Sequence, residues 1–429
     1  MSMGLAAIVL FAVFIALIVL GVPIGFSLGI SGILGLLLMD QSFMMFPQTL
    51  ITGIDNFALL AIPFFVLLGV VMERSEISKS LVDLADELLG FLRGGLAIGT
   101  VLASMLFATV SGSGPATVAA IGSITIPEMT KKGYSKRFSV GVASAAGALG
   151  PIIPPSIPFI IYGVATEESI AKLFLGGMGA GVVFGLLLMI LSFFKAGVEG
   201  VPVSGKKPSL KSILKATWRA KMALLAPIIV LGGIYGGVYT PTEAGAIGSI
   251  YVILVGFLKR TITRRVLFEC FEKMARTSAM IMFVIAVAYL LAWVLTAGRI
   301  PQIAAQALME WANSRFLFFL FVNVLFLIIG SLLDTPAAII ILAPILAPIA
   351  GKMGIDPIHF GTVVVVNFVI GYITPPFAYN LFVAKSLTGM TMEEVSLAAL
   401  PFLLTCILGL ILITAFPAVS LLLPRLLMG

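Results

Sequence analysis

The chain carries one Gly/Pro pattern twice, 221 residues apart and without a gap. Ser113-Gly114-Pro115-Ala116 aligns with Asp334-Thr335-Pro336-Ala337, Pro127 with Pro348, and Gly133 with Gly354. Gly150-Pro151-Ile152-Ile153-Pro154-Pro155 aligns with Gly371-Tyr372-Ile373-Thr374-Pro375-Pro376, and 11 of 43 positions from Ser113 to Pro155 are identical. Both copies sit in a chain that is 60% hydrophobic and 10% charged. A soluble domain carries roughly 25% charged residues. Apolar runs of about 20 residues, the span of a bilayer core, recur along almost the whole length. The expected fold class is therefore an all-α polytopic membrane protein, since a barrel would need short alternating segments. Helix breakers repeated inside such runs mark inverted or parallel internal repeats, with a substrate or ion site at the breaks.

The charges decide between inverted and parallel. Plain spans are expected near 4–20, 22–39, 57–72, 170–195, 222–239, 243–258, 277–297 and 395–424. Segments 96–126 and 316–350 are broken in the middle and read as re-entrant helical hairpins, and 138–165 and 361–386 as broken helices. With both hairpins turning back, the loops at 73–95, 131–137, 195–221 and 259–276 fall on one side; with Lys385 they hold 21 Lys/Arg, against 5 on the other side. The positive-inside rule makes the first side cytoplasmic and puts both termini outside. Five crossings then separate the copies, so they are inverted, with one hairpin entering from each side. The apolar start, without a basic n-region and followed at once by another apolar run, reads as a retained helix and not as a signal peptide.

Two connecting stretches read as interfacial. In 209–219, Leu210, Ile213, Leu214 and Trp218 share one helical face, and Lys211, Lys215 and Arg219 another, with Ser209 as N-cap; a solvated basic linker is the alternative. In 76–93, Ile77, Leu81, Leu84 and Leu88 oppose Lys79, Asp83 and Glu87, and a counterpart lies near 300–313.

Backbone that leaves the helix within a bilayer is tolerated only where it is buried in protein or faces a wet cavity. Proline frees carbonyls and glycine permits tight turns and close approach. The first tip offers the hydroxyls of Ser111 and Ser113; the second offers Asp334 and Thr335. The breaks at 150–155 and 371–376, with Thr374, add backbone oxygens. Oxygen-only sites suit hard cations, and few fixed charges suit a monovalent ion that must also leave. Sodium is the expected ion, with a proton at Asp334 as the alternative. Half-helix N-termini at the same tips favour an anionic substrate. A small-residue packing seam is the bland reading of Ser-Gly-Ser-Gly-Pro; the matched second tip weighs against it. Asp334 is the one carboxylate deep in an expected span, which makes it functional by default. Asn367 and Asn380 flank the second break, as ligands or as interhelical hydrogen-bonders. Glu243 starts a span and reads as a cap. His359 receives no role.

The +7 net charge is confined to loops and concerns orientation, not nucleic acid. Cys270 and Cys406 lie in no metal or disulfide spacing. One His, two scattered Cys and one buried Asp cannot form an enzyme's metal site or acid pair. No phosphate-loop motif is present, and nothing suggests a channel's ring of charges or carbonyls. A self-sufficient sodium-coupled dicarboxylate or other anion carrier on the same plan stays open.

Ala61-Ile62-Pro63-Phe64-Phe65, Gly150-Pro151-Ile152-Ile153-Pro154-Pro155-Ser156, Thr240-Pro241-Thr242-Glu243-Ala244 and Asn367-x3-Gly371-x2-Thr374-Pro375-Pro376-x3-Asn380-Leu381-Phe382 together resemble the large membrane subunit of TRAP (tripartite ATP-independent periplasmic) transporters. Ala378 stands where many members have glycine. The resemblance covers essentially the whole chain. It implies an elevator: scaffold helices at 1–75 and 169–297 with a basic amphipathic connector at 205–221, arms at 76–93 and 298–315, transport-domain halves at 94–168 and 316–388, and a terminal helix at 389–429. By position, the family's first sodium site maps onto Ser111, Ser113, Gly150, Ile153 and Pro155, and the second onto Gly330, Asp334, Thr374 and Phe377. Gly114, Ser156, Thr335 and Asn380 fall near the substrate. The implied cargo is Na+ with an organic acid, closest to the sialic-acid branch, with C4-dicarboxylate competing. The implied partners are a periplasmic substrate-binding protein and a small four-helix membrane subunit, in a bacterial inner membrane.

Overall fold

The computed structural model describes residues 3–75, 77–201, 209–311 and 314–429. All regular structure among them is helical. Nine of the described helices are long and apolar enough to cross a bilayer.

One group of helices is built on Arg264–Ala297. Ile24–Leu38 presents Gly25, Gly29, Gly32 and Gly35 to it, and Phe283, Val287, Leu290 and Val294 fill the space that side chains would otherwise occupy. Small residues are what lets two membrane helices approach this closely. Phe57–Arg74 packs on the same long helix and along Pro241–Leu258. Two hydroxyls tie the latter pair: Ser249 donates to the Phe64 carbonyl at 2.8 Å and Thr242 to the Phe57 carbonyl at 3.1 Å. Glu243 caps as expected: its carboxylate accepts from the Thr240 N–H at 2.8 Å in a capping box.

The second group contains both repeat units. Gly95–Ser111 and the helical stretch 114–131 form the first hairpin, the latter passing through a π turn at Val118–Gly122. Lys136–Gly147, Leu149–Ile152 and Ile157–Thr166 form the first broken helix. Arg315–Leu332 with Thr335–Lys352, then Pro357–Ile370 with Tyr379–Thr388, repeat the plan. The amphipathic helix Ile77–Leu89 packs between Gly95–Ser111 and Leu210–Tyr235, bridging the two groups. Its counterpart is Ile300–Trp311.

Several expectations need correction. The connector over 205–221 and the span near 222–239 are one continuous helix, Leu210–Tyr235, capped by Ser209; 205–208 lie outside the described residues. The exposed row Leu210, Leu214, Trp218 belongs to its first turns, where Lys221 Nζ lies 3.5 Å from the Trp218 ring centre. The terminal segment is two helices, Met392–Ala415 and Ala418–Met428, because Pro417 cannot continue the ladder. Ile170–Val198 packs against Gly95–Ser111, Pro357–Ile370 and both terminal helices, which sets it beside the repeat units and not beside the first group. The helix Met45–Ile54 had no counterpart in the sequence reading; it lies on Arg264–Ala297, where Gly53 receives the Tyr289 ring.

Candidate functional site

The first tip is closed by its own side chains. Gly95–Ser111 ends at Gly112, whose φ of +57° is the left-handed conformation that glycine adopts without a Cβ penalty. The next helix opens with Ser113, which accepts from the Ala116 N–H at 3.4 Å, and Pro115 sits in the first turn where no N–H is missed. Thr117 donates its hydroxyl to the Ser113 carbonyl at 2.8 Å and lies 3.1 Å from Ser111 Oγ. In the broken helix beside it, Ile153 is extended, Pro154-Pro155 is cis, and Ser156 caps Ile157–Thr166 while donating to the Pro151 carbonyl. Tip and break interlock. A β-carbon at Gly150 would lie 2.5 Å from the Ser113 carbonyl oxygen, and one at Gly112 2.7 Å from that of Pro155.

The second tip repeats the path with different chemistry. Leu333 and Asp334 are extended, and Thr335–Lys352 starts with Pro336 in its first turn. Asp334 makes no side-chain cap; the Thr335 N–H and the Tyr379 hydroxyl face its carboxylate. Thr374 donates its hydroxyl to the Ile370 carbonyl at 2.8 Å, and the Phe377 N–H to the Ser331 carbonyl at 3.4 Å. Gly371 receives the Gly330 carbonyl in close contact. Pro375-Pro376 is again cis, and Ala378 follows with φ of +23°.

The copies meet at the centre. Asn380 donates to the Ser144 carbonyl of the first broken helix at 3.1 Å. A β-carbon at Gly114 would lie 2.7 Å from Asn380 Oδ1 and 2.9 Å from the Tyr372 ring. Thr335 Oγ1 and Asn380 Oδ1 are both buried without a hydrogen bond. Buried polar atoms are usually paired, so two orphans at one junction point to a ligand.

A cavity of about 830 Å³ separates the two helix groups. One wall carries Ser111, Gly112 and Ser113 of the first tip with Asp334, Tyr372 and Tyr379 of the second repeat. The opposite wall comes from Phe57–Arg74, Arg264–Ala297 and the turn Gly21-Val22-Pro23. This is the size of a small-molecule site.

Of the residues expected from sequence, Ser111, Ser113, Gly150 and Pro155 adjoin one another. Ile153 is buried behind them, its side chain against Gly181. Gly330, Thr374 and Phe377 gather around the second break, and Asp334 and Phe377 both line the cavity. Gly114 and Asn380 lie at the junction of the copies; Ser156 is fully buried within its own break. Asn367 bonds across helices to Asn323, through the carbonyl at 3.1 Å and Oδ1 at 2.9 Å. His359 Nδ1 meets Ser420 Oγ at 2.7 Å in a buried contact. Sequence reasoning missed Thr117, Tyr372 and Tyr379. Tyr372 stands opposite Pro151 in the repeat, so a polar residue facing an apolar one was a readable signal.

Comparison with known proteins fits this geometry. Residues 11–419 match the family model "Tripartite ATP-independent periplasmic transporter, DctM component". The chain belongs to this family. The TRAP large permeases are transporters and not enzymes, and the chain is a multi-pass organic-acid permease subunit of that type. It is 44% identical to the C4-dicarboxylate TRAP transporter large permease DctM of Pseudomonas aeruginosa, over 93% of this chain and 94% of that one. It is 43% identical to the isethionate TRAP permease DctMQ of Oleidesulfovibrio alaskensis, over 96% of this chain but only 65% of that longer one. Identity to the sialic acid permease SiaM of Vibrio cholerae is 33%, over 97% of each. Among solved structures, the YdaH transporter of Alcanivorax borkumensis superposes with a TM-score of 0.64 at 16% identity, covering 86% of this chain and 87% of that one. That likeness shows the fold of a membrane transporter.

Proposed function

We propose that this permease imports an organic acid anion together with sodium by an elevator movement of the repeat units against the helices packed on Arg264–Ala297. The observation that carries the reading is a cavity bounded by both re-entrant tips on one side and by the first helix group on the other. Sodium would be held by the hydroxyl and backbone oxygens of Ser111, Ser113, Gly150, Ile153 and Pro155 at one site, and by Gly330, Asp334, Thr374 and Phe377 at the other. The donor set supports this: oxygen ligands with one carboxylate suit a hard monovalent cation. The anion would sit near Gly114, Ser156, Thr335 and Asn380, where the unpartnered Thr335 hydroxyl can donate to it and the Asn380 amide oxygen can accept from a hydroxyl of the substrate.

The cavity runs to the Gly21–Pro23 turn and the Glu73 end of its helix, on the side of the basic loops. We read that side as the cytoplasm of a bacterial inner membrane and this form as inward-open. Two Na+ entering with one monoanion, at about 100 mV and a tenfold sodium gradient, supply roughly 5 kcal/mol. A periplasmic binding protein and a small membrane subunit complete the transporter. Sialic acid is the sequence's expectation for the substrate; the higher identity to the dicarboxylate and isethionate permeases favours a smaller acid. Proteoliposomes given radiolabelled succinate, isethionate and N-acetylneuraminate, with and without the partner proteins, test the scheme. Uptake should need sodium and the binding protein. Uptake by this chain alone would replace the scheme with a self-sufficient carrier.

A further inference from the structure

The wall opposite the tips is mostly apolar, yet it holds one ion pair. Lys273 Nζ lies 2.9 Å from Glu73 Oε2, joining Arg264–Ala297 to the end of Phe57–Arg74. Both residues line the cavity, and Lys273 is the one cation to do so among the described residues. Its neighbours are otherwise engaged: Arg265 pairs with Glu269 at 3.4 Å and Arg276 with Glu272 at 2.8 Å, both within the helix and neither on the cavity. From Lys273 the lining continues along one helical face through Thr277, Met280, Ile281 and Val284. The 11 steps from Lys273 to Val284 rise about 16 Å, and the same helix packs on Thr335–Lys352 behind the second tip.

We propose that Lys273 is an anion subsite on the exit path, taking the carboxylate or sulfonate of the substrate after it leaves the tips, with Glu73 as the counter-ion that lets it go. The inference rests on the anion-import reading above. An anion released into the cavity meets apolar walls and the carboxylates of Asp334 and Glu73. One fixed cation at the far end draws it outward, because charges lining a low-dielectric cleft focus the field. A bare lysine would also hold the anion. Passage needs binding strong enough to enter and weak enough to leave. Glu73 competes for the ammonium at hydrogen-bond distance and supplies that second property. Lys273 remains about half exposed while paired, so it is within reach of a ligand.

A purely structural pair, tying two helices, forecasts the same direction of change when either member is lost, whereas the subsite forecasts opposite directions, which sets the test. Equilibrium binding of radiolabelled succinate, isethionate and N-acetylneuraminate is measured on the detergent-purified complete transporter in saturating sodium, with uptake measured in proteoliposomes. Lys273→Gln should weaken binding about three- to tenfold, the effect of one partly solvated charge. Lys273→Arg should stay near wild type. Glu73→Gln should tighten binding by a similar factor and slow uptake. Size-exclusion profile and sodium half-saturation should be unchanged in all three. If both glutamine variants shift binding in the same direction, or neither does, the subsite is overturned and the pair only joins helices. If wild type takes up none of the three anions with sodium, the import reading itself falls, and this inference with it.

Discussion

At the first tip Thr117 returns its hydroxyl to the Ser113 carbonyl, Ser156 does the same for Pro151, and the broken helix beside them is buried from Pro151 to Pro158. At the second tip Asp334 caps nothing, Thr335 and Asn380 keep unpartnered oxygens, and Pro375 and Pro376 are exposed. The two paths through space are the same, down to the cis proline pair. The difference lies in who satisfies the polar groups. The first tip and the break beside it bond their own hydroxyls. The other leaves the Thr335 hydroxyl and the Asn380 amide oxygen without partners. An unmet buried polar group costs free energy that a ligand can recover. The repeat therefore accounts for the shared path, and the differences at Ser113/Asp334 and Gly114/Thr335 make the two tips chemically unequal.

The largest test of that inequality is Asp334→Ala. Sodium-dependent uptake in proteoliposomes should fall at least about 100-fold, equivalent to ~2.7 kcal/mol of lost ion binding, while the size-exclusion profile is unchanged. Transport near the wild-type level would remove Asp334 from any ion site and leave the two tips equivalent in function. Next comes Gly114→Thr, which gives the first tip the residue of the second. Its β-carbon would press on Asn380 and Tyr372 at the junction. Overpacking of this kind costs about 1–3 kcal/mol, so a lowered Tm and uptake reduced about tenfold are expected. A Gly114→Thr variant with unchanged Tm would mean that the copies are not locked together there.

Much of this arrangement was legible in the chain because it is written in glycine and proline, whose backbone effects are local. Ser113-Gly114-Pro115 and Thr374-Pro375-Pro376 broke their helices where their chemistry required. Thr240 and Glu243 announced a capping box and formed one. What was hidden depends on packing between distant segments. Nothing in the Ile170–Val198 sequence says that its glycines seat Phe159 and Ile153 of the first broken helix. The continuity of Leu210–Tyr235 was concealed because an interfacial face and a buried face follow each other on one helix with no breaker between them. Asn367 could not be assigned from sequence either, since its partner Asn323 lies 44 residues away. Lys273 looked like one more basic loop residue, and only the cavity beside it distinguishes it.

Ser113→Ala probes the first copy. The hydroxyl caps the short helix after the tip, and such caps contribute about 1 kcal/mol. The half-saturating sodium concentration should rise several-fold, with anion affinity little changed, because the Ser113 carbonyl stays in place against Gly150. A flat sodium response in this variant would take the first tip out of sodium binding and make the second tip the sole ion site.

The smallest change in stability is expected from Thr335→Val, and it cuts most finely between the tips. Thr335 is buried, its hydroxyl faces Tyr372 without an ordinary hydrogen bond, and valine matches its shape. Removing a donor that has no partner exposes no new orphan, so Tm should hold or rise slightly. If the hydroxyl serves the ligand, anion binding should weaken about three- to tenfold, the loss of one hydrogen bond to a charged group, with the sodium curve unmoved. Unaltered binding would assign the orphan to packing, and the second tip would then differ from the first in its carboxylate alone. The aligned substitution in the first copy cannot ask this question, because Gly114 has no side chain to lose. The position where duplication left glycine on one side and threonine on the other is therefore where substrate recognition can be separated from ion binding.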